Sequence, residues 1–159
     1  MRKNEKILFE NICKYCIGKY TLLSSGPLIP SLICQLCKYA DMDVPVIRGI
    51  LRVQINENYI RSFAHCFNIY NGSIIDASIY EYALTNKAIG HLFPIYILDN
   101  IPPHIDYIMQ EELVVDSQVK FSEQFLKNSL EKIQNNNLEF VKRFTLIEDS
   151  KKENLFYCH

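Results

Sequence analysis

Apolar residues recur at helical spacing twice within the first part of the chain. Over residues 4–22, Phe9, Ile12, Cys13, Cys16, Ile17 and Tyr20 fall on one face, which predicts an amphipathic helix. Ser24-Ser25-Gly26-Pro27 interrupts it, and a second helix runs to about residue 39 with Ile29, Leu32, Ile33 and Leu36 on its apolar side. Either serine can cap that helix, with Pro27 in its first turn. After Asp41-Met42-Asp43 the period changes. Residues 44–55 and 59–70 read as strands, Asn71-Gly72 is a two-residue hairpin signal, and residues 73–78 form the return strand. A short helix over 79–88, a strand over 93–98 and a Pro102-Pro103 loop follow. Residues 122–133 carry Phe125, Leu126, Ser129, Leu130 and Ile133 at helical spacing, and residues 138–147 fit either strand or helix.

Helices first, then an antiparallel meander, then a helical tail make an α+β pattern: N-terminal helices packed on an antiparallel sheet, with a helical C-terminal region. The 159 residues suit a single domain, with residues 1–40 as its helical part, 44–98 as the sheet and 99–159 as loop and C-terminal helical region. Seventeen basic and eighteen acidic residues leave a net charge of −1, without the clustered positive charge that a nucleic-acid partner requires. No apolar run reaches the roughly 18–20 residues of a membrane span. The N-terminal segment is amphipathic rather than an apolar signal core, so a cytoplasmic protein with no membrane partner is expected. Nothing in the sequence sets the oligomeric state.

The chemistry concentrates in the hairpin Ala64-His65-Cys66-Phe67-Asn68-Ile69-Tyr70-Asn71-Gly72-Ser73-Ile74-Ile75-Asp76. A two-residue turn sets Asn68 opposite Ile75, so His65, Phe67 and Asp76 project from one sheet face. Extended further, the pairing puts Ser78 opposite His65 and makes Asp76 its diagonal neighbour. An Asp there can fix the imidazole tautomer and leave the other nitrogen as a general base. Without more, such a pair is equally two polar residues that share a hairpin.

His-x-Phe-Asn-x-x-x-Gly-x-Ile-x-Asp resembles the His/Asp hairpin of transglutaminase-like and related papain-fold thiol enzymes. The stretch from Ser25-Gly26-Pro27 through Cys34-Gln35-Leu36 to Val44-Pro45-Val46-Ile47-Arg48-Gly49 is similar to the helix and first strand of that group, and the likeness covers about residues 24–80. The resemblance implies attack on an amide or thioester carbonyl: peptide hydrolysis, deamidation or acyl transfer, on a protein or peptide. His65 would be the base and Asp76 the residue that orients it.

The same resemblance implies a nucleophilic cysteine at the start of the helix, where the positive helix end lowers its pKa. Counting back about seventeen residues from Pro45 reaches Leu28, with Pro27 and Ile29 beside it, and none is a nucleophile. Cys34 and Cys37 lie deeper in the helix, Cys66 projects from the face opposite His65, and Cys158 is nearly terminal. Two readings follow: a rearranged active site, or a degenerate member that serves as a binding or regulatory protein.

Another class of protein also fits the cysteines. Cys13-Lys-Tyr-Cys16 and Cys34-Gln-Leu-Cys37, with seventeen residues between, match a four-cysteine zinc site, and so a zinc-stabilised interaction domain. Against it, both pairs fall in segments of helical periodicity, where a buried thiol commonly acts as a small core residue. His91 and His104 stand apart and read as surface residues. On the first reading no cofactor is needed.

Overall fold

The computed structural model describes residues 1–20 and 26–135. Ser24 and Ser25, the 138–147 segment and Cys158 lie outside them. Helix α1 (Lys3–Lys19) begins where Glu5 accepts from the backbone N–H and guanidinium of Arg2, each at 2.9 Å. That contact holds the Glu5 carboxyl down at about 2. Tyr70 donates to the same carboxylate at 3.0 Å, which ties α1 to the sheet. Helix α2 (Leu28–Lys38) follows, with Ile29, Leu32, Ile33 and Leu36 essentially inaccessible to solvent.

Strands β1 (Val46–Asn56), β2 (Tyr59–Tyr70), β3 (Ser73–Ile75) and β4 (Ile105–Glu112) form one antiparallel sheet in the order β3-β2-β1-β4. The Asn71-Gly72 turn has both residues at positive φ, 48° and 80°, as the tight hairpin demands. It sets Asn68 opposite Ile75, as the hairpin pattern predicts. The α+β class therefore stands, and among the described residues no helix is long and apolar enough to cross a membrane.

Two details differ from the pattern. The 93–98 segment is not a strand: Pro94 has no N–H to offer a ladder, and only Ile97 makes a bridge, to Asp76. The fourth strand comes instead from Ile105–Glu112, so the sheet extends past residue 98 into the region read as loop and helix. Its sequence, Ile-Asp-Tyr-Ile-Met-Gln-Glu-Glu, lacks clean alternation because it is an edge strand with most side chains in solvent.

The two sheet faces carry different layers. On one, Val46 and Cys66 meet Cys34 of α2, while Asn68 donates to the Pro30 carbonyl at 2.9 Å. Beyond this end, α1 and α2 pack with helix α4 (Glu123–Gln134) in a core that includes Phe9, Ile12, Leu32 and Leu36. The hydroxyl of Tyr15 reaches Ser129 of α4 at 2.8 Å. On the opposite face, Ile47, Leu51, Val53 and Phe67 pack against helix α3 (Tyr80–Thr85) and Phe93.

Gly49 joins the faces. The β1–β4 register shifts between Arg48 and Gly49, and a Cβ at Gly49 would stand 2.0 Å from the Ile108 carbonyl oxygen, a backbone atom that cannot swing aside. Gly49→Ala should therefore cost about 2 kcal/mol or more of stability. Urea unfolding checks this, and an unchanged midpoint would show that β4 does not approach so closely.

Candidate active site

Alternation along β2 aims Phe63, His65 and Phe67 at the α3 layer. His65 sits opposite Gly49 of β1. The β2–β3 ladder stops at Asn68–Ile75. Ser78 is consequently not across from His65. Instead Asp76 exchanges two backbone hydrogen bonds with Ile97, each 3.1 Å, and the chain turns sharply toward α3.

That turn is built on the Asp76 carboxylate. Its Oδ1 accepts from the amides of Ser78 and Ile79 at 3.0 and 3.1 Å and from the Ser78 hydroxyl at 3.3 Å. Its Oδ2 meets His65 Nε2 at 2.7 Å and accepts from the Tyr107 hydroxyl at 2.6 Å. The pair foreseen on the hairpin does come together. His65 and Asp76 are each only 1% exposed. Burial by itself would push the Asp76 carboxyl up, but His65, Tyr107 and the Ser78 amide outweigh it and hold the group below its ordinary value. Tyr107 responds oppositely: burial first, then the neighbouring carboxylate, push its phenol well above the usual range.

The second imidazole nitrogen is also taken. In a neutral ring whose Nε2 donates to Asp76, Nδ1 is the acceptor, and the Tyr82 hydroxyl lies 3.1 Å from it, in place to donate. Phe63, Tyr82 and Phe93 form one cluster: Phe63 lies against Tyr82 with ring centroids 4.4 Å apart, Phe93 stacks on Tyr82 at 5.2 Å, and the two phenylalanines meet edge to face at 6.0 Å. Phe67 and Tyr107 meet edge to face at 4.9 Å. A phenol thus stands at the second imidazole nitrogen. Neither tyrosine is visible to motif reasoning: Tyr82 is one of ten tyrosines, and Tyr107 lies on the unforeseen strand.

No described cysteine takes the nucleophile's part. Leu28 occupies the start of α2. Cys66 sits opposite Arg48 on the other sheet face, as alternation requires. Burial raises the thiol pKa of Cys13, Cys16, Cys34, Cys37 and Cys66, that of Cys37 to about 12, so each stays protonated. The zinc arrangement does not assemble either. Cys13, Cys16 and Cys37 are packed in the helical core, whereas Cys34 turns to the sheet beside Val46 and Cys66. Among the described residues, no three His, Cys, Asp or Glu side chains are grouped to hold a metal. His91 is exposed; His104 is half-buried, its Nε2 2.8 Å from the Leu92 carbonyl.

Comparison with protein-family models finds no match, and neither the curated proteins nor the solved structures yield one similar to this chain.

The lowered Asp76 pKa makes a directional prediction about acid. Its stabilising contribution is complete above the unfolded-state value, near pH 3.9, and is lost as the pH falls through the lower native value. Asp76→Asn should destabilise the protein by about 3 kcal/mol at neutral pH and flatten the fall in stability below about pH 4. Urea midpoints measured from pH 7 to pH 3 test both. Equal acid slopes in wild type and variant would contradict the assignment.

Proposed function

We propose that this chain is a transglutaminase-like or papain-like domain that has lost acyl-transfer chemistry and acts as a binding or regulatory protein, with a protein or peptide as its partner. The observation that carries this reading is the Tyr82 hydroxyl 3.1 Å from Nδ1 of a His65 that is 1% exposed. In an active thiol enzyme that nitrogen must receive the nucleophile's proton. Here it already accepts a hydrogen bond from a phenol, a group with an ordinary pKa near 10 that surrenders its proton reluctantly.

The remaining geometry agrees. Asp76 orients the imidazole as a catalytic carboxylate would, but it also organises the turn into α3 and anchors β4 through Tyr107. These contacts give the His/Asp pair a place in the fold that needs no substrate. The half-buried Leu28 supplies no nucleophile where the resemblance places one. Peptide hydrolysis, deamidation and acyl transfer all need that group, so the reading sets all three aside together. The dispersal of the two cysteine pairs leaves the zinc-domain reading without a supporting observation.

A peptide-aldehyde or electrophilic amide probe separates a degenerate domain from a rearranged thiol enzyme. The folded protein should take up well under one equivalent, with no difference between wild type and His65→Ala. Stoichiometric labelling of one cysteine, abolished in His65→Ala, would overturn the proposal.

A further inference from the structure

The part of the sheet that α2 leaves uncovered carries three cross-strand rows between β1 and β4, two charged rows flanking an apolar one. On this face β1 presents Arg48, Ile50 and Arg52, and the register sets them beside Glu111, Ile108 and Asp106 of β4. Each row therefore holds a cation next to a carboxylate, or isoleucine next to isoleucine. Arg48 and Glu111 form an ion pair at 2.6 Å, both about half exposed. Ile108 is 36% exposed, and Ala64, beside Ile50 on β2, is exposed as well. Arg52 has no ion-pair partner among the described residues, and it shares a hollow of about 150 Å³ with Asp106, Gln54 and Ile60.

We infer that this face joins two copies of the chain around a two-fold axis lying along the strands, between β1 and β4. Rotation about such an axis keeps every residue at its level along the strand and exchanges β1 with β4. Arg52 then faces the partner's Asp106, and Asp106 faces the partner's Arg52. Ile50 covers the partner's Ile108 in the next row, and Arg48 meets the partner's Glu111 in the third. One symmetry operation thus pairs unlike charges in two rows and buries apolar surface between them. The result is face-to-face packing of two sheets with aligned strands.

The alternative assembly, β4 pairing edge to edge with β4, is disfavoured by its own charges. β4 carries Asp106, Glu111 and Glu112 and no cation, so two such strands would set acid against acid.

Sedimentation velocity on the full chain tests the two-fold. The wild type should form a dimer at about 100 μM, in the affinity range of modest interfaces. Arg52→Asp and Asp106→Arg should each weaken dimerisation by at least about 30-fold, because each creates two like-charge contacts across the axis. An equimolar mixture of these two variants should recover a dimer containing one copy of each, since the more acidic face of the first meets the more basic face of the second. Ile108→Lys, at an exposed position in the middle row, should also dissociate the dimer and serves where a charge reversal disturbs folding. A monomeric wild type, a single variant that dimerises as tightly as the wild type, or a mixture that stays apart would overturn the inference.

Discussion

Everything around the candidate site depends on one buried carboxylate. Asp76 is 1% exposed and receives hydrogen bonds from five donors on three parts of the chain: His65, Tyr107, the Ser78 amide and hydroxyl, and the Ile79 amide. A charge out of water is tolerated only when its lone pairs are filled, so these contacts fix the turn into α3, the rotamer of His65 and the position of β4 together. Because α3 carries Tyr82, the same carboxylate also sets what stands at the far nitrogen of His65. The closed imidazole follows from packing around Asp76, and the functional reading follows from the closed imidazole.

The cysteines illustrate how burial suppresses chemistry that spacing suggests. Two CxxC pairs in a chain with six cysteines invite metal binding. Yet the faces that bring these residues inside are helical, and a helix core holds its thiols as apolar atoms among Phe9, Ile12 and Leu36. Protonated thiols in such a core are poor ligands and poor nucleophiles. Three of the six lie in that helical core, and Cys34 and Cys66 are buried between α2 and the sheet, so position rather than any missing reactivity of cysteine accounts for these five.

How much could be read from the sequence differs between local and long-range features. The first two helices, the β1–β2–β3 meander and the Asn71-Gly72 turn are written in periodicity and turn chemistry, which act over a few residues. His65 and Asp76 were legible as a pair because one hairpin register relates them. Tyr82 and Tyr107 were not, since they reach the pair only through the sharp turn after Asp76 and through the fourth strand. That strand leaves little trace in the sequence because an exposed edge places no demand for alternating burial on it, and its approach to β1 is marked only by the absence of a side chain at Gly49. Conversely, residues 93–98 have the apolar content of a strand, but Pro94 has no N–H for a ladder and only Ile97 makes a bridge.

The central claim is that His65 is a closed structural imidazole, with its proton on the Asp76 side and a phenol on the other. Nitrogen-15 NMR of the histidine ring tests it directly, because long-range couplings distinguish a protonated from an unprotonated ring nitrogen. The account predicts a proton on Nε2 that exchanges slowly with solvent and none on Nδ1, at neutral pH and in the absence of any ligand. A proton on Nδ1, or an Nε2 proton that exchanges as fast as that of an open imidazole, would contradict it.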